Sequence, residues 1–131
     1  MSRRILISML ILVLTTVFML GISALAQDKI VIGYSVQDLG NQYWQTVAQG
    51  IKDRAAELGN IEVIVFDART DPGMQLSQVE DLIQQKVDVI LLSPWDPDPG
   101  GTAVEAANAA GIPVLVLDVG VNSGKIETFM K

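Results

Sequence analysis

The sequence predicts an α/β domain with a doubly wound parallel sheet, on three observations. Short β-branched apolar runs alternate with stretches whose apolar residues recur at helical spacing. The runs are continuously apolar rather than alternating, as in strands covered on both faces. Each run ends in a polar loop. When all strands point one way, such loops gather on one edge of the sheet.

Lys29 to Ser35 reads as the first strand, with Ile30-Val31-Ile32 as its apolar run. The loop Val36 to Gly40 follows, and Asn41 is placed to cap a helix. Trp44, Val47, Ala48, Ile51, Ala55 and Leu58 mark one face of that helix, and Gly59 stands where a left-handed residue ends it. Ile61 to Phe66 is a second strand and Asp67 to Gly73 a polar loop. Asp71 caps the next helix, with Pro72 at its first position, where a missing N–H costs nothing. Leu76, Val79, Leu82 and Ile83 give that helix its apolar stripe. Val87 to Ser93 is a third strand. The proline- and glycine-rich stretch Pro94 to Gly101 is expected to be irregular. Thr102 to Ala110 then reads as a short helix closed by Gly111, and Pro113 to Asp118 as a fourth strand. Val119 to Gly124 is a loop, and Ile126 to Met130 reads as the start of another strand.

The 131 residues suit one modest domain. Residues 1–26 have the pattern of an export leader: Arg3 and Arg4, an apolar run from Ile5 to Leu20, and Ala24-Leu25-Ala26 as the small-residue cleavage site. Cleavage after Ala26 and a periplasmic location are expected, with residues 27–131 as the folded part. The chain has no cysteine and no histidine, which excludes disulfides, thiolate metal sites, lipid attachment at the leader, and Ser-His-Asp or Cys-His catalysis. The formal charge of −6, with no basic cluster outside the leader, argues against nucleic acid as a partner.

In open α/β sheets ligands bind at the carboxyl edge. There the sequence gathers Asp38, Asn41, Tyr43, Trp44, Asp67, Trp95, Asp96 and Asp118. Carboxylates and amides take up neighbouring hydroxyls pairwise, and a flat aromatic ring packs on the C–H face of a sugar. The set therefore suits a small polyhydroxylated molecule. Competing structural roles are plain: Trp44 lies on the apolar face of its own helix, Asp118 and Asp67 can cap loops, and Trp95 can cover the sheet edge. Gly100-Gly101-Thr102 lacks the lysine of a phosphate loop. Asp96-x-Asp98 lacks the later ligands of a calcium loop. No cofactor or metal is expected.

Three separated blocks, KIVIGYSVQDLGNQYWQTVAQGI, VDVILLSPWDP and AANAAGIPVLVLD, resemble the ribose-type periplasmic sugar-binding proteins, the substrate-binding components of ABC importers. The resemblance implies a type I periplasmic-binding fold of two hinged lobes that trap a monosaccharide or polyol. It implies a membrane permease as partner and a monomeric state. It makes Asn41, Tyr43 and Trp44 first-loop sugar contacts, Ser35 a small polar residue near the pocket, and Asp118 the strand-end carboxylate that takes sugar hydroxyls. Two departures stand out. Val119 replaces the arginine that ribose binders carry after that aspartate, which opens the site to another sugar or polyol. The loop from Ser35 to Tyr43 is slightly longer than the ribose pattern. Family members are more than twice as long, so the chain is expected to be an amino-terminal lobe, one wall of the cleft. The same module in a chemoreceptor or sensor kinase is an alternative. An exported carbohydrate enzyme with Asp96 and Asp118 as acid and base is another.

Overall fold

The computed structural model describes residues 29–131; the leader expected in residues 1–26 lies outside them. Eight elements follow in order: β1 (Ile30–Val36), α1 (Gln42–Leu58), β2 (Ile61–Asp67), α2 (Pro72–Gln84), β3 (Val89–Leu92), α3 (Pro97–Ala109), β4 (Val114–Leu117) and β5 (Thr128–Met130). The strands form one sheet in the order β2-β1-β3-β4-β5, and all neighbours are parallel. The direction of winding reverses beside β1, so a switch point opens between the carboxyl ends of β1 and β3.

The alternation of side chains along each strand divides the core in two. On one face α1 lays Trp44 and Ala48 against Tyr34, Val36 and Leu91. On the other, α2 and α3 bury Val79, Leu82, Ala103, Val104 and Ala107 against Ile90, Leu92, Val114 and Val116. The local signals for α1 and α2 act as their chemistry dictates. Asn41 Oδ1 accepts from Tyr43 N, and Gly59 closes α1 at φ 80°. Asp71 accepts from Gly73 N and Met74 N ahead of Pro72.

The expectation of an irregular Pro94–Gly101 stretch is overturned: α3 begins at Pro97, with Asp96 as its cap accepting from Asp98 N. Pro97 and Pro99 sit in the first turn, where backbone N–H groups have no partner within the helix, so both are tolerated. Gly100 and Gly101 are helical and buried because other chain segments press on them. A Cβ on Gly101 would run into Ser123 Oγ and lie 2.9 Å from Ser123 N.

Ser123 belongs to the link between β4 and β5. Parallel strands need a crossover, usually a helix; here an irregular strap spans the length of α3. At one end Asn122 N donates to Pro97 O (3.2 Å) and Asn122 Nδ2 to Asp98 Oδ1. At the other, the Asn108 side chain donates to Lys125 O (3.0 Å) and accepts from Lys125 N (2.6 Å).

Candidate functional site

The loop after β1 is braced from within. Asp67 Oδ1 accepts from Leu39 N (3.0 Å) and Arg69 N (3.1 Å), so the end of β2 grips the first loop. Gln45 Nε2 donates to Leu39 O (2.7 Å) from α1, and Asp38 Oδ1 accepts from Gly40 N (2.8 Å). Asn41 follows on this stiff segment. Its capping role engages the amide oxygen, which fixes the amide orientation and leaves the Nδ2 donors without a partner among the described residues.

Tyr43 and Trp44 separate by face. Tyr43 is 57% exposed, whereas Trp44 is 5% exposed and packs in the core. The rings meet edge to face at 4.9 Å, so Trp44 backs the ring that the surface presents. Ser35 is fully buried on the opposite face of β1, where its Oγ donates to Gln78 Oε1 at 2.9 Å. Of the expected contacts, Asn41, Tyr43 and Asp118 therefore reach the surface of the carboxyl edge, while Trp44 and Ser35 lie beneath it. Strand spacing puts the ends of β1 and β4 about 10 Å apart, with β3 between them.

Asp118 differs from the other aspartates of this edge. Asp38, Asp67, Asp71 and Asp96 accept backbone N–H bonds, and Asp98 accepts from Asn122. Asp118 is exposed and has no side-chain hydrogen bond among the described residues. Its backbone is left-handed, with φ 68°, and its N–H is tied to Met130 O at 2.7 Å. An uncommon conformation at a strand end with a carboxylate left over is where a ligand-directed role is worth seeking. The acid–base pairing of Asp96 with Asp118 gains no geometric support, because the Asp96 carboxylate is engaged as the cap of α3.

Sequence reading passed over two residues that organise this edge. Gln75 and Gln78 of α2 reach the ends of three strands. Gln78 Nε2 donates to Asp67 O (2.8 Å) and its Oε1 takes the Ser35 hydroxyl, which links β2 to β1. Gln75 Nε2 donates to Ser93 O (2.9 Å) and its Oε1 accepts from Trp95 N (3.0 Å). The available signal was spacing: Gln75 precedes Val79 and Leu82 on the buried stripe of α2, so a polar side chain occupies a core position. On the opposite face of the sheet the Tyr34 hydroxyl meets Ser93 Oγ at 2.9 Å. Burial pushes the Tyr34 pKa up to about 12, against the lowering effect of that hydrogen bond.

The described residues hold no cluster of side chains able to bind a metal and no helix long and apolar enough to cross a membrane. A shallow groove on the outer side of α1, lined by Gln42, Thr46, Gly50 and Asp53, is open to solvent. It is not where the strand-end side chains gather.

Comparison with known proteins matches residues 32–129 to the periplasmic binding protein domain. The ribose import binding protein RbsB of Bacillus subtilis is 43% identical over 104 residues, which is 79% of this chain and 34% of that protein. An ABC transporter solute binding protein from Mycobacterium smegmatis, solved with bound glycerol, is 31% identical with a TM-score of 0.72. That match covers 77% of this chain and 34% of that one. A solute binding protein from Bacillus halodurans, solved with bound myo-inositol, is 29% identical with a TM-score of 0.67. It covers 75% of this chain and 34% of that one. The chain thus spans about a third of the length of the relatives it matches.

Proposed function

The chain belongs to the periplasmic binding protein domain family, and on that premise we propose that it forms one wall of the ligand cleft of an ABC importer's substrate-binding component. The ligand is a neutral monosaccharide or polyol. The role is binding and delivery to a membrane permease, without turnover, and the protein acts as a periplasmic monomer after removal of the leader at Ala26. Relatives named for ribose and xylitol, and solved neighbours holding glycerol and myo-inositol, support this ligand class.

The observation that carries the reading is the division of labour at the carboxyl edge. Asp118 is the edge aspartate whose carboxylate no described residue engages, and it stands with the unpartnered Asn41 amide donors and the exposed Tyr43 ring. Together they offer an acceptor for paired hydroxyls, a donor for a hydroxyl oxygen, and a flat apolar surface. Ser35 and Trp44 support this set from beneath.

Calorimetric titration with D-ribose, D-xylose, xylitol and myo-inositol tests the proposal. At least one is expected to bind weakly, and Asp118→Asn to reduce that binding by tenfold or more, since a hydrogen bond to a charged group contributes about 1.5–3 kcal/mol. Turnover of a sugar conjugate, or affinity unmoved in both Asp118→Asn and Tyr43→Ala, would refute it.

A further inference from the structure

Trp95 follows β3 at the switch point and is 48% exposed, so packing does not hold its ring. Its backbone, however, is held. The peptide groups of Ser93 and Trp95 both end on the carboxamide of Gln75, a side chain only 2% exposed. A carboxamide that donates to one residue's carbonyl and accepts from the N–H two residues on reproduces the bonds of a neighbouring strand. Ser93 N meanwhile donates to Ser35 O at 3.0 Å. The sheet is in effect extended past the end of β3 by one side chain from a helix.

We infer that Gln75 is a positioning residue whose carboxamide fixes the Ser93–Trp95 backbone and presents the Trp95 indole as a second aromatic wall of the ligand cleft, across the switch point from Tyr43. This rests on the sugar-cleft reading and extends it to a residue that cleft had not included. The register supports the placement. Ser35 of β1 is level with Leu92 of β3, so the two loops leave the sheet side by side. Asp96 then caps α3 and turns the chain away immediately after Trp95. The indole is thus displayed from a short segment fastened on both sides, by Gln75 before it and by the helix cap after it.

The test is nuclear magnetic resonance of the full chain, reading amide exchange at Trp95 and the relaxation of its indole N–H. In Gln75→Met, Trp95 amide exchange is expected to accelerate roughly tenfold, the change that loss of one hydrogen bond implies, and the indole to become more mobile. Gln78→Met is the control. It removes two bonds from the same helix, but these lead to Asp67 and Ser35, and it leaves both Trp95 signals as in the parent. Equal protection of Trp95 in Gln75→Met and parent, or equal loss in both variants, overturns the assignment. Should Gln75→Met not fold, the parent decides: its Trp95 amide must be protected as well as that of Ser93, and free exchange there overturns the assignment. Adding D-ribose, D-xylose, xylitol or myo-inositol to the parent separates the two readings. Shifts at both Tyr43 and Trp95 support the wall, and a shift at Tyr43 alone removes Trp95 from it. If neither ring shifts, the sugar-cleft reading fails, and with it Trp95's place in a cleft, while the exchange result on Gln75 stands.

Discussion

Asn41 holds two offices that substitution can separate. Its Oδ1 caps α1 by accepting from Tyr43 N, and its Nδ2 donors, proposed above as a ligand contact, have no partner among the described residues. Asn41→Ala is expected to lower stability by about 1 kcal/mol through loss of the cap, and Asn41→Ser to leave stability nearly unchanged. Both variants lose the amide donors, so both are expected to bind sugar more weakly; urea unfolding and calorimetry on the pair read the two effects apart. Tyr34 carries a pH signature of a different kind. Its hydroxyl is buried against Ser93, and its pKa is pushed from 10.0 to about 12. The neutral phenol is favoured in the folded chain, while the unfolded chain ionises first. Tyr34's contribution is therefore complete below pH 10 and is lost as the pH climbs towards 12. Tyr34→Phe is expected to flatten that alkaline loss, and stability measured between pH 9 and about 12 in both proteins checks it. A stability curve as steep in Tyr34→Phe as in the parent would show that other groups govern the transition.

Two helical glycines are expected to respond in opposite directions to the same methyl group. Gly50 lies within α1 with open space where a Cβ would go, so Gly50→Ala is expected to stabilise by about 0.5–1 kcal/mol through helix propensity alone. Gly101 lies within α3 directly under the strap, where a Cβ would meet the backbone of Ser123. Gly101→Ala is expected to destabilise by about 1–3 kcal/mol as the strap is lifted. Thermal unfolding of the two variants reads the contrast, and a stabilised Gly101→Ala would mean that the strap does not press on α3. The same pair shows what could be read from sequence and what could not. Asn41, Asp71, Pro72 and Gly59 act on residues within a few positions, so both limits of α1 and the start of α2 were legible. The start of α3 was not, because Pro97 and Pro99 look like breakers unless Asp96 is already known to be a cap. Gly101 has a reason that lies more than twenty residues along the chain, at Ser123, and Gly100 is pressed by Pro94 as well as by Val121 of the strap. At the site, the exposed loop residues were legible by type, whereas Gln75 and Gln78 were hidden in a stripe whose apolar members drew the eye.

At the scale of the whole molecule the parallel order β2-β1-β3-β4-β5 does more than place loops on one edge; it sorts charge. Asp38, Asp67, Asp71, Asp96, Asp98 and Asp118 all fall at or just beyond the carboxyl ends of the strands, where the basic residues are Arg69 and Lys131. Lys29, Lys86 and Lys125 lie towards the amino ends of the strands, and Lys52 and Arg54 in the later turns of α1. Capping and loop bonds engage most of those carboxylates, but hydrogen bonding does not neutralise them, and they concentrate on one edge a large part of the acidic excess behind the formal charge of −6. Arg69 cannot offset it: its Nε stands 3.9 Å from Asp67, and its side chain is 76% exposed. A sugar acid or sugar phosphate approaching this edge would meet like charge, and the residue that follows Asp118 is the uncharged Val119. A neutral polyol meets no such barrier, since its hydroxyls can donate to Asp118. Discrimination is therefore expected to be electrostatic as well as steric. Neutral sugars bind with an affinity that barely changes between low and high salt. Ribose 5-phosphate binds more weakly than ribose, and the gap narrows as salt screens beyond a Debye length of about 10 Å at 0.1 M. Parallel titrations with ribose and its 5-phosphate at two ionic strengths measure both quantities. Tighter binding of the phosphate, or a gap that ignores salt, would show that the acidic edge does not face the ligand.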